Sequence, residues 1–172
     1  MKKLLLLNIA FIFCHTALIA QSNVTTHRSS IKWMTFKQAL LKNKTHPKKI
    51  IVDVYTDWCG WCKKMEATTY SDPILIRYMN SNFYCVKLDA ETKETIRYKN
   101  KSYLFNPDNK VHDLAAFFLN GQMGYPTTVF LDENQDVITQ VAGFQTTKQM
   151  GPILHYFGDN IYRQKTWDEY MR

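Results

Sequence analysis

The 172-residue chain has few backbone breakers, with six glycines and five prolines, which excludes collagen-like and low-complexity classes. Cysteine is scarce too. Of the four present, Cys14 lies in an apolar N-terminal stretch, and Cys59, Cys62 and Cys85 are too few to staple a small scaffold. Beyond that first stretch no run is long and apolar enough to span a bilayer. No segment repeats, and no Pro/Gly/Ser-rich linker divides the chain. What is abundant is apolar and aromatic material, 45% and 14% of the residues. That suffices for one well-buried core and one folded domain, and argues against disorder. The net charge of +7 comes from lysines spread along the chain with no recognised binding motif, so no nucleic-acid partner is expected.

Lys2 and Lys3 precede a nearly continuous apolar stretch from Leu4 to Ile19, and the small Ala20 stands before Gln21. This pattern reads as a secretory signal peptide over residues 1–20, with a retained N-terminal anchor as the alternative. Residues 21–30 are polar and read as a flexible lead-in, and residues 31–172 form the folded domain. The chain is therefore expected to be exported, periplasmic or secreted, with no stable membrane insertion once the leader is removed. Such a compartment can be oxidising.

Trp33 to Leu41 has apolar residues at helical spacing, and Lys44-Thr45-His46-Pro47 ends the helix. Lys49 to Tyr55 is short, β-branched and almost continuously apolar, as a strand buried on both faces would be. A helix follows Cys62, and Asp72-Pro73 opens another from Ile74 to Met79. Phe83 to Asp89 is a second strand. The charged segment Glu91 to Asn100 reads as a helix, Asn106-Pro107-Asp108-Asn109 as a turn, and Asp113 to Leu119 as a helix closing at Asn120-Gly121. Thr127 to Leu131 and Val137 to Val141 form an antiparallel hairpin that Gly143 ends. Helices at Thr146 to Phe157 and Trp167 to Met171 finish the chain. The crossover between the first two strands implies a parallel pair, so the class is α/β with a central mixed sheet flanked by helices.

The strongest chemical signal is Cys59-Gly60-Trp61-Cys62, placed between a buried strand and a helix. Unpaired N–H groups and the positive end of the helix dipole stabilise a thiolate at Cys59. Cys62 can reach back to close a small ring, and exchange would pass through a mixed disulfide on Cys59. A zinc site would need a second ligand pair, whereas Cys85, His112 and His155 are scattered, so no metal is expected. Covalent haem would need His after Cys62, where Lys63 stands. An inert structural disulfide stays open as an alternative.

The segment Val52-Asp53-Val54-Tyr55-Thr56-Asp57-Trp58-Cys59-Gly60-Trp61-Cys62-Lys63 resembles the active-site segment of the thioredoxin superfamily. Gly124-Tyr125-Pro126-Thr127-Thr128 resembles that family's cis-proline loop, and Val86-Lys87-Leu88-Asp89 its central strand. The likeness spans about Ile31 to Phe157 and is most similar to exported bacterial thioredoxin-like proteins. It implies a thioredoxin-like fold and a dithiol–disulfide oxidoreductase that acts on protein thiols and disulfides with a redox partner protein. No cofactor beyond the redox-active Cys59–Cys62 pair is implied, and a monomer is expected. The resemblance gives Asp53 the role of proton acceptor for Cys62, with Lys87 as a possible neighbour in that network. It assigns client contacts to Trp58, Gly60, Trp61, Tyr125 and Pro126. Trp61 stands where thioredoxin itself has Pro, and the Arg97–Met123 segment is longer than thioredoxin's and holds an extra helix before the cis-proline loop. The different-class alternative is a thioredoxin-fold binding or chaperone module with an idle structural disulfide.

Overall fold

The computed structural model describes residues 30–172, so the expected leader and nearly all of the lead-in lie outside the described residues. Among the described residues nine strands and six α-helices follow in order. They are β1 (Trp33–Met34), α1 (Phe36–Thr45), β2 (Lys49–Tyr55), α2 (Gly60–Thr68), α3 (Pro73–Asn82), β3 (Phe83–Asp89), β4 (Ile96–Tyr98) and β5 (Lys101–Tyr103). Then come β6 (Phe105–Asn106), β7 (Val111–His112), α4 (Asp113–Phe118), β8 (Thr127–Leu131), β9 (Val137–Ala142), α5 (Thr147–Gly158) and α6 (Trp167–Met171).

The central sheet runs β1-β3-β2-β8-β9. β1 and β2 lie parallel to β3, while β8 is antiparallel to both β2 and β9. The expected mixed sheet is therefore present. Alternation along β2 sends Ile50, Val52 and Val54 to one face, where they pack with Phe36, Leu114 and Phe118. Ile51 faces the other way and packs with Met65, Leu75, Met150 and Leu154 from α2, α3 and α5. Asp53 shares the parity of Ile51, so its side chain falls on the face covered by α2.

Two segments depart from the expected elements. Trp33 and Met34 do not begin a helix; they pair with Cys85 and Val86 as β1. Thr35 starts α1 instead, its side chain accepting from the Gln38 N–H while the Gln38 side chain accepts from the Thr35 N–H. The charged stretch expected to be helical across Glu91 to Asn100 becomes the β4–β5 hairpin. Lys99 and Asn100 hold φ of 45° and 62°, the two-residue turn that joins strands, and the hairpin buries Tyr98 and Tyr103 in the core. The inserted region holds the expected helix, α4, together with β4–β5 and the β6–β7 hairpin.

Candidate functional site

β2 delivers the chain to Cys59, which caps α2 in an extended conformation. Its Sγ accepts a hydrogen bond from the Cys62 N–H at 3.0 Å, and the two cysteines are joined as a disulfide with Cα atoms 5.3 Å apart. Both are almost buried, at 5% and 6% exposure, so the pair lies nearly flush with the surface. Cys59 also donates its N–H to the Thr56 carbonyl at 3.1 Å, which turns the chain from strand into helix. Gly60 is exposed, with open space where a Cβ would stand.

Asp53 is buried at 2% exposure and pairs in register with Lys87 on β3 and Thr128 on β8. Its Oδ2 lies 3.1 Å from the Lys87 ammonium, while its Oδ1 has no partner among the described residues. Burial raises the carboxyl pKa above its ordinary value, and Lys87 only partly offsets this. Lys87 also holds Glu66 of α2 at 2.8 Å. Burial works against the Lys87 charge, but the two carboxylates outweigh it and leave the ammonium pKa above its usual value. A chain of charge thus runs from the sheet interior to the exposed Glu66. The Tyr70 hydroxyl bonds to the hydroxyl of Thr128, the β8 residue in register with Asp53, at 3.1 Å.

The remaining expected residues form the rim. Tyr125–Pro126 is a cis peptide, and the Pro126 carbonyl accepts from the Gly143 N–H at 2.8 Å. Trp58 meets Tyr125 edge to face at 5.8 Å and donates its indole N–H to Glu91 at 2.9 Å. Trp61 packs on Phe144 at 5.5 Å, under the Lys64 ammonium. Both tryptophans remain exposed, at 66% and 56%. The fold therefore gathers Cys59, Cys62, Trp58, Gly60, Trp61, Tyr125 and Pro126 at one end of the sheet, above Asp53 and Lys87. Sequence reasoning missed Glu66, Tyr70, Glu91, Phe144 and Lys64. Phe144 had a signal, since it follows the glycine that ends the hairpin. Glu66 and Lys64 lie one helical turn from Cys62 and Trp61. Cys85 is a buried free thiol, and burial pushes its pKa up to about 12. Among the described residues no three His, Cys, Asp or Glu side chains gather as a metal site, and no helix is long and apolar enough to cross a membrane.

Comparison with known proteins matches the sequence to a family. The family model Thioredox_DsbH, described as a protein of unknown function, DUF255, matches residues 19–156. The thiol:disulfide interchange protein DsbD of Haemophilus ducreyi is 30% identical over 104 residues, 59% of this chain and 15% of that protein. The chain thus spans only a small part of that relative's length. Thioredoxin-1 of Drosophila melanogaster is 42% identical over 75 residues, covering 41% of this chain and 65% of that protein. Among solved structures, a thioredoxin from Thermus thermophilus superposes with a TM-score of 0.57 at 20% identity, over 74% of this chain and 87% of that one. A thioredoxin-fold protein from Helicobacter pylori gives 0.55 at 16% identity, over 82% of both chains. At those identities the superpositions establish the fold, while the family match covers most of the sequence. With its thioredoxin-like fold and its Cys59–Cys62 pair at the head of α2, the chain belongs to the Thioredox_DsbH family.

Proposed function

We propose that the chain exchanges its Cys59–Cys62 dithiol/disulfide with protein clients through a mixed disulfide on Cys59. The observation that carries this is the bonded pair at the N-terminus of α2, on the sheet face that holds buried Asp53. In the reducing direction the Cys59 thiolate attacks a client disulfide. The Cys59–client bond forms, the client S–S bond breaks, and one client thiolate leaves and takes a proton from water. Cys62 then gives its proton to Asp53 and attacks Cys59. The second client thiolate departs, and two electrons have passed to the client as the Cys59–Cys62 disulfide forms. The reverse sequence oxidises a dithiol. A carboxyl with a raised pKa is suited to this transfer, because a base poised nearer neutrality both takes and returns a proton readily. The pair itself is the redox group, so the exchange needs no metal or other cofactor.

Trp58, Gly60, Trp61, Tyr125 and Pro126 contact the client segment in this scheme. Lys87 holds Asp53 in place and tempers its pKa. The name of the DsbD relatives, thiol:disulfide interchange protein, supports protein thiols as substrates and a second redox protein as partner. The basic, apolar N-terminal pattern from Lys2 to Ala20 supports a site of action outside the cytoplasm. The test is reduction of insulin with dithiothreitol supplied. The protein should bring forward precipitation of the insulin B chain, and Cys59→Ser should abolish that acceleration. Equal traces with and without the protein would overturn the proposal.

A further inference from the structure

The two aromatic walls beside the disulfide differ in charge. Trp58 packs on Tyr125, and its indole N–H is already engaged by the Glu91 carboxylate. Trp61 packs on Phe144, and the Lys64 ammonium lies 4.7 Å from the Trp61 ring centre and 5.4 Å from that of Phe144. Trp61 and Lys64 are neighbours one turn apart on α2, so the helix fixes the cation over the ring. The Gly143–Pro126 hydrogen bond keeps the following Phe144 beside the proline loop. Among the described residues no carboxylate pairs with Lys64, whereas Lys87, on the same sheet face as Asp53, holds two.

A client segment whose cysteine bonds to Cys59 must cross between these walls. A carboxylate next to that cysteine, on the Trp61 side, would meet the exposed Lys64 ammonium seated over two rings and could form a charge-assisted hydrogen bond with it. A lysine there would meet like charge. On the Trp58 side the same carboxylate would face Glu91 and gain nothing. Resting on the exchange function proposed above, we infer that Lys64, Trp61 and Phe144 form a subsite selecting client segments with an acidic side chain flanking their cysteine on one side only.

Three ten-residue peptides with one central cysteine test this. One carries Glu before the cysteine, one carries Glu after it, and one carries Gln at both places. Each is presented as its mixed disulfide with thionitrobenzoate. Attack by reduced Cys59 on the peptide sulfur forms the Cys59–peptide bond, breaks the bond to thionitrobenzoate and releases that coloured thiolate. One glutamate peptide should react at least about threefold faster than the glutamine peptide, and the other should not. The readout is this rate ratio, in which any general change in Cys59 reactivity cancels. Lys64→Gln should bring the ratio to about one, and Lys64→Arg should preserve it. Equal rates for all three peptides, equal acceleration by both glutamate peptides, or a ratio unchanged in Lys64→Gln would overturn the subsite. Absence of release with every peptide would instead overturn the exchange function on which it rests.

Discussion

The Cys59 sulfur already accepts the Cys62 N–H at 3.0 Å, so a thiolate formed there on reduction is held by the donors that open α2. Cys62 lies inside the first turn and has no such place at the helix end. Cys62→Ser should therefore trap clients as mixed disulfides on Cys59, visible as thiol-sensitive bands on non-reducing gels, and Cys59→Ser should trap none. Equal trapping by the two variants would contradict these roles. Cys85 is the opposite case. With a pKa pushed up to about 12, its thiolate is about one part in 10^5 at pH 7, so Cys85→Ala should leave insulin reduction unchanged within error. Asp53 enters only at the second step. Asp53→Asn should slow resolution of the mixed disulfide by roughly tenfold or more while changing the initial attack little. Stopped-flow measurement of both steps across pH separates them, and parental resolution at every pH would leave Cys62 without this base.

Most elements were legible because their signals are local. The Lys49–Tyr55 and Phe83–Asp89 strands match β2 and β3 residue for residue, since short, largely apolar runs rich in β-branched residues in the one and led by two aromatics in the other favour strands. Asp72-Pro73 marked α3 equally well, for the Asp72 carboxylate accepts from the N–H groups of Ile74 and Leu75 at 2.8 and 3.0 Å. Asp72→Ala should cost about 1 kcal/mol in urea unfolding and leave redox turnover intact. A loss of turnover in the folded variant would mean that α3 supports the disulfide directly. The two misread elements failed for a common reason. Trp33-Met34 and Ile96–Tyr98 are strands only because another strand supplies their hydrogen bonds, the distant β3 in the first case and the neighbouring β5, returning through Lys99-Asn100, in the second. Helical spacing at Trp33 and dense charge after Glu91 said nothing about those partners. In the candidate site, the CxxC pair and the proline loop were visible as motifs. The Lys87–Glu66 and Trp61–Phe144 contacts were not, because they join α2 to elements from elsewhere in the chain.

The molecule as a whole holds two kinds of perturbed carboxyl, and they give its stability opposite dependences on pH. Asp53 has a folded pKa raised by burial, so the folded state binds its proton more tightly than the unfolded chain does. Its contribution is most favourable below the ordinary carboxylate pKa and is lost as pH rises through the raised folded value. Glu133 is the reverse. Burial acts against its charge, but Lys49 at 2.7 Å and Arg163 at 3.1 Å outweigh that and hold its pKa below the ordinary value. That contribution is complete above the ordinary carboxylate pKa and is lost as pH falls through the depressed one. Lys49 is itself buried at the start of β2, so Glu133 ties the sheet to the β8–β9 turn and to the C-terminal Arg163. Urea unfolding of the oxidised protein from pH 8 to pH 3 should separate the two. Asp53→Asn should be more stable than the parent at pH 8, by on the order of 1 kcal/mol, since Lys87 keeps Glu66 as a partner. That advantage should shrink as pH falls and the parental Asp53 takes up its proton. Glu133→Gln should be less stable than the parent at pH 7 and converge on it at the acid end. A stability difference for Asp53→Asn that stays constant across the range would mean that Asp53 titrates alike in folded and unfolded chains, and the buried carboxyl would then have no raised pKa to bring to Cys62.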